Sequence, residues 1–126
     1  MHRLPSAKLA VAVLSAAALT AATGCGHPVV VGADRTLGLA LSEYRVDPQA
    51  VRVRSGLLTI VVHNYGRLTH NLVVSLSGVN VGQTKPIAPG QSAQLTVMLA
   101  AGSYTIGSTL LSDQVLGEYG TLTVTP

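Results

Sequence analysis

The segment GLLTIVVHN, residues 56–64, decides how the rest of the chain is interpreted. Its apolar side chains Leu58, Ile60 and Val62 recur at every second position, which places them on one face of an extended strand. The same period places His63 on the opposite face. We therefore predict a half-buried β-strand whose apolar face lines a core.

The two-residue period returns along most of the chain from residue 36 onward. Turn signals rich in Gly and Pro separate the periodic segments, and no helical period interrupts them. Short strands at this spacing predict one all-β domain over residues 36–126, an antiparallel β-sandwich or barrel of about seven strands. The residues that define the seven strands are Leu37, Leu39 and Leu41; Val51 and Val53; Leu58, Ile60 and Val62; Leu72, Val74 and Leu76; Leu95, Val97 and Leu99; Tyr104 and Ile106; Leu122 and Val124.

Composition supports a single β domain. The chain has 126 residues, of which 48% are hydrophobic and 10% charged, with no Phe and no Trp. This length allows one core and excludes two. A core of Val, Leu and Ile with a few Tyr favours strands, because such side chains fit a pleated, half-buried surface.

The charge balance argues against a nucleic-acid partner. The formal net charge of +3 includes Arg3 and Lys8, which belong to an N-terminal leader. From residue 25 onward six basic residues face five acidic ones. A phosphate-binding surface needs clustered Lys and Arg, often with aromatic side chains, and the sequence shows neither. The six basic residues are Arg35, Arg45, Arg52, Arg54, Arg67 and Lys85.

The first 24 residues have the layout of a secretory signal peptide. Arg3 and Lys8 precede an uncharged apolar run over residues 9–20, and small residues follow up to Gly24. The run is shorter than the roughly 20 residues that a helix needs to span a bilayer. We therefore expect a secreted, extracytoplasmic protein from which the leader is removed.

Cys25, the only cysteine, stands at the expected cleavage point. The preceding Ala22, Thr23 and Gly24 resemble a bacterial lipobox, although Ala22 replaces the usual Leu. A lone exported cysteine cannot form an internal disulfide, but as the first mature residue it can accept lipid such as palmitate. We expect lipid attachment at Cys25, a tether over residues 25–35 and anchoring to the cell membrane; the alternative is an ordinary signal peptide followed by a free thiol.

Several phrases of the sequence, in order, resemble the cupredoxin family of plastocyanin and azurin. The resemblance covers residues 36–125 and implies a Greek-key β-sandwich with a metal site at one end. Its phrases are EYRVDP at 43–48, NYG at 64–66 followed by HNLVV at 70–74, IAPG at 87–90, AGSYTI at 101–106 and GEYGTLTV at 117–124.

The resemblance also implies where the copper ligands would stand. The first copper histidine falls on His70, the cysteine on Ser108, the second histidine on Asp113 and the axial methionine on Glu118. Type 1 copper needs a thiolate and two imidazoles. A serine hydroxyl does not replace the thiolate, so we expect no type 1 copper and no electron transfer.

Two chemical alternatives use the same positions. His70, Asp113 and Glu118 together could hold zinc or another divalent ion, or they could be polar loop residues without a ligand. Ser108, His70 and Asp113 also suggest a hydrolase triad, but Ser108 lacks the G-x-S-x-G context of a nucleophile elbow. We therefore expect no enzyme and no resident cofactor, with metal binding as the alternative.

Apolar residues in the loops at the same end suggest a contact surface. Tyr65, Leu68, Leu110 and Leu111 either fold back as a lid or stay exposed as a recognition patch. We expect the patch, and hence a non-catalytic binding or accessory module that contacts an envelope protein. The alternative is a metal-handling protein that uses His70, Asp113 and Glu118.

Overall fold

The computed structural model describes residues 27–110 and 119–126, which form ten strands. No helix in these two ranges is long and apolar enough to cross a membrane. The ten strands are β1 Val29–Val30, β2 Thr36–Ser42, β3 Arg45–Asp47, β4 Ala50–Arg54, β5 Gly56–Asn64, β6 Val73–Leu76, β7 Val79–Gln83, β8 Ser92–Leu99, β9 Gly102–Gly107 and β10 Tyr119–Thr125.

The strands form two sheets that pack face to face. One sheet has six strands in the order β1-β4-β10-β9-β6-β7, and the other has four in the order β3-β2-β5-β8. The chain passes repeatedly between the sheets, as in the predicted Greek-key sandwich. The sheets are mixed rather than purely antiparallel, because β1 with β4, β4 with β10 and β2 with β5 run parallel.

The predicted period is confirmed in the core. Along β5, Leu58, Ile60 and Val62 are fully buried while Leu57 and Val61 are exposed. The inward residues of both sheets form one hydrophobic cluster, as aligned sandwiches require. Tyr104 is the tyrosine of this cluster, and its hydroxyl donates to the carbonyl of Ala100 at 2.8 Å. All seven predicted strands are present.

Three further strands lack the signal on which the prediction depended. β1 and β3 are two and three residues long, too short to show a period. Among the described strands β7 lies at a sheet edge beside β6, and its residues are mostly exposed, so buried and exposed positions do not alternate. The segment expected as a tether thus contributes β1, and the amide of Val31 then donates to the carbonyl of Arg52 at 2.9 Å.

Candidate functional site

Four chain segments meet at one end of the sandwich, called here the site end: the β2–β3 turn and the segments 65–72, 84–91 and 108–110. The registers place them there, because Leu41 pairs with Asn64 at the ends of β2 and β5. Gly107, at the end of β9, pairs with Val73 of β6. The side chains predicted to form the site therefore lie at this end wherever the structure describes them.

His70 is fully buried at the site end. Its backbone forms an isolated β-bridge with Ile87, in which each amide donates to the other residue's carbonyl. The imidazole Nε2 lies 3.6 Å from Oε1 of Glu43, a separation suited to an ion pair when the ring is protonated. The backbone bridge fixes the position of the residue, and the ring lies beside this carboxylate.

Glu43 is a site residue that the sequence analysis did not identify. Its Oε1 accepts the backbone amides of Arg67 and Leu68. The hydrogen bond from Leu68 and further backbone hydrogen bonds, with the positive field of His70, lower the pKa of this carboxyl; partial burial opposes them. Glu43 therefore links the β2–β3 turn to the loop that carries His70.

Gly66 allows this carboxylate to approach the loop. A Cβ at position 66 would lie 2.6 Å from Oε1 of Glu43, which is closer than real Cβ contacts. The phrase Asn64-Tyr65-Gly66 thus contains a residue whose lack of a side chain is needed for the Glu43 contact.

Asn64 fixes the other side of the same loop. It is fully buried, and its Nδ2 donates to the carbonyls of Leu68 at 2.8 Å and Ile87 at 2.9 Å. Its Oδ1 accepts the amide of Gly66 at 2.8 Å. One side chain therefore satisfies three backbone groups, as buried polar groups require.

Ser108 is fully buried and joined to the residue that follows His70. Its Oγ accepts the amide of Asn71 at 3.2 Å and donates to Oδ1 of Asn71 at 3.1 Å. The same Oδ1 accepts the amide of Thr109 at 2.8 Å. The segment that carries Ser108 is thus joined to the residue that follows His70.

The other predicted ligands cannot be compared with this geometry. Asp113 and Glu118 lie outside the described residues, as do Leu111 and Cys25. Within residues 27–110 and 119–126, no three His, Cys, Asp or Glu side chains are grouped as metal ligands. No residue after Cys25 is a cysteine, so the donor set of this domain does not fit type 1 copper.

Two of the three described residues of the predicted contact surface are exposed. Tyr65 is 71% exposed and Leu68 41%, while Leu110 is half-buried. The ring of Tyr65 lies 4.2 Å, centroid to centroid, from that of His63. His63 lies on the outer face of β5, as its position predicted, and its Nδ1 is 2.6 Å from Oγ of Ser92.

Sequence comparison finds no match to a known family or to a curated protein. Solved structures do match. The auracyanin of Roseiflexus castenholzii has a TM-score of 0.67 and 22% identity, over 75% of this chain and 100% of its own. An azurin of Methylomonas sp. strain J has a TM-score of 0.64 and 12% identity, over 72% and 98%.

Auracyanin A of Chloroflexus aurantiacus, described as a blue copper protein, has a TM-score of 0.63 and 16% identity, over 76% of this chain and 99% of its own. At such identities the likeness establishes the fold. The two-sheet topology and these neighbours agree with the resemblance found in the sequence, and the chain has the cupredoxin fold.

Proposed function

We propose that this protein is a membrane-anchored lipoprotein of the cell envelope whose cupredoxin domain serves as a non-catalytic binding or accessory module. The observation that carries the proposal is the pair of hydrogen bonds between Ser108 and Asn71. A neutral hydroxyl occupies the position assigned to the copper thiolate, and its hydrogen bonds join two segments of the site end. Copper-based electron transfer has no thiolate to depend on.

The same contact argues against hydrolysis. Ser108 is fully buried, so a substrate cannot reach its hydroxyl without a rearrangement of the site end. Its hydroxyl donates to the amide oxygen of Asn71, a contact that stabilises the site end.

The binding surface proposed for an envelope protein consists of Tyr65, Leu68, Leu110 and Leu111. Tyr65 has the largest exposed fraction of any described large hydrophobic residue. The exposed aromatic and aliphatic side chains of segment 65–72 lie on a loop that Asn64 and Glu43 fix by hydrogen bonds. Such a loop is suited to a protein contact, because it loses little conformational entropy when a partner binds.

The partner surface is tested by affinity capture from solubilised membranes. Tyr65→Ser with Leu68→Ser should remove a partner that the wild-type protein retains. Val79→Ser with Met98→Ser is the matched control, since Val79 is 65% exposed and Met98 68%. Equal capture by all three proteins would refute this surface.

The anchor is tested at Cys25 itself. Cells supplied with labelled palmitate should incorporate label into the wild-type protein and not into Cys25→Ser. Mass spectrometry of the wild-type N-terminal peptide should find an acylated cysteine. A free thiol there would support the alternative of an ordinary signal peptide.

Metal handling remains the second candidate, for one reason. A carboxylate beside one imidazole nitrogen is the arrangement that orients metal-ligating histidines, and Glu43 stands in that position toward Nε2 of His70. His70 would then bind a divalent ion together with Asp113 and Glu118.

A further inference from the structure

Half of the basic residues that follow Cys25 surround one groove far from His70. The groove has a volume of about 450 Å³ and lies where segment 31–35 crosses from β1 to β2. Arg35, Arg52 and Arg54 line it together with Val30 and Thr125. No acidic residue is among the described residues that line this groove, and three of the residues that do are arginines.

Arg35 is held at the groove in an unusual backbone conformation. Its φ of 57° is in the left-handed region, and its Nε donates to the carbonyl of Leu57 at 2.8 Å. Its Nη2 is buried and, among residues 27–110 and 119–126, has no hydrogen-bond partner. A buried donor without an acceptor is costly, so this atom favours an incoming oxygen.

Arg52 and Arg54 present two further charges. Both side chains are exposed and alternate with the buried Val51 and Val53 along β4. Within the described ranges none of the three groove arginines forms an ion pair with an acid. The neighbouring Asp34 is turned to its own loop, where Oδ1 lies 3.4 Å from the amide of Thr36. The positive charge of the groove is therefore left for a ligand.

The position of β1 indicates which anion is available. Val30 is the register partner of Arg52, so an exposed apolar side chain stands beside the groove. Cys25 precedes Val29 by four residues, which span at most about 14 Å when extended. If Cys25 carries lipid, as the proposed function holds, the β1–β4 edge cannot leave the bilayer surface by more than this reach.

We propose that the groove formed by Arg35, Arg52 and Arg54 binds the phosphate groups of anionic phospholipids and sets the domain's orientation on the membrane. The guanidinium groups supply charge-assisted hydrogen bonds to phosphate oxygens. Val29 and Val30, 47% and 68% exposed, rest at the headgroup boundary. The inference rests on the proposed anchor for its choice of ligand.

The test uses mature protein that carries no lipid. The Cys25→Ser chain is exported behind a general signal peptide, so that it is cleaved without acylation, and its fold is checked by circular dichroism. Co-sedimentation is measured with vesicles of phosphatidylglycerol and phosphatidylcholine and with vesicles of phosphatidylcholine alone. Binding should require phosphatidylglycerol and weaken with added salt.

Arg52→Gln with Arg54→Gln should weaken this binding about 25-fold, since each arginine near an anionic surface contributes about fivefold. Arg67→Gln with Lys85→Gln removes the same net charge from exposed positions at the site end. This control pair should change the affinity less than about threefold. Both pairs leave Arg35 and its backbone contact in place.

Absence of sedimentation with anionic vesicles would overturn the inference, and so would equal weakening of vesicle binding by both pairs of substitutions. A phosphate-induced rise in melting temperature without vesicle binding would also overturn it and would assign the groove to free phosphate. The palmitate experiment reports separately on the anchor. If the wild-type protein carried no lipid but still bound vesicles through Arg52 and Arg54, lipid attachment at Cys25 would be refuted and phospholipid binding by the groove would be supported.

Discussion

Ser108 and Asn71 are joined twice, with the Asn71 amide donating to the Ser108 hydroxyl at 3.2 Å and that hydroxyl donating to Asn71 Oδ1 at 3.1 Å. Both residues are buried. Asn71 also binds Thr109 through its amide group, so the segment after β9 is fixed to the segment that carries His70. A polar network therefore holds together the two segments to which the resemblance assigns copper ligands.

Copper should not form a blue site in the wild-type protein. Added copper should give no intense absorption in the thiolate charge-transfer region, because position 108 offers a hydroxyl. Ser108→Cys combined with Asp113→His and Glu118→Met should create that band if the loop geometry has been kept. Absorption spectra of the wild-type and triple-variant proteins decide the matter, and a strong band in wild type would show that the ligand assignment is wrong.

Asn64→Ala should destabilise the domain by about 3 kcal/mol, because the three hydrogen bonds of its buried side chain are lost together and each contributes about 1 kcal/mol. Urea denaturation followed by circular dichroism measures the change. Asn80→Ala is the control, since Asn80 is exposed and its Nδ2 donates to the side chain of Gln83 on the same strand. Its effect should stay within about 0.5 kcal/mol. Equal losses would refute the role given to Asn64.

The fold can be predicted from the sequence because its core strands are long enough to show a two-residue period. β5 alone has nine residues with alternating burial. The parallel pairings were not accessible, since a two-residue period fixes which side chains face inward but not which strand lies alongside. β1 was missed for a related reason: its two residues pair with β4 at an edge and carry no pattern.

The site was accessible only in part. His70 and Ser108 follow from matched phrases of local sequence, and the structure brings their segments together. Glu43 contacts His70 from 27 positions away in the chain, across a turn, so spacing alone gives no reason to pair them. The groove arginines illustrate the same limit. Arg35 lies in the same groove as Arg52 and Arg54 because the chain crosses between the two sheets after β1, and the sequence does not show that crossing.

Glu43→Gln should reduce stability in a manner that depends on pH. The pKa of Glu43 is lower in the folded protein than in an unfolded chain, chiefly because the Leu68 amide binds the charged form. Its stabilising effect is therefore present above about pH 4.3 and is lost as the pH falls through the lowered folded value.

Urea denaturation at several pH values compares wild type with Glu43→Gln. The wild-type advantage should be constant at neutral pH and should shrink in acid. Asp47→Asn, which changes an exposed carboxylate of β3, serves as the control. An advantage that persisted unchanged at the lowest pH would show that the Glu43 contacts do not depend on its charge.

Divalent metal binding makes a distinct prediction at His70. If His70, Asp113 and Glu118 coordinate an ion, zinc should raise the melting temperature of the mature protein, because a ligand that binds only the native state stabilises it. His70→Gln should abolish the rise.

His63→Gln is the matched control, since His63 lies on the outer face of β5 beside Ser92 and should leave the rise intact. Calorimetry with zinc, copper and manganese on metal-stripped protein gives the stoichiometry. No saturable heat and no thermal shift in wild type would refute the metal site, and so would equal losses of the thermal shift in both histidine variants.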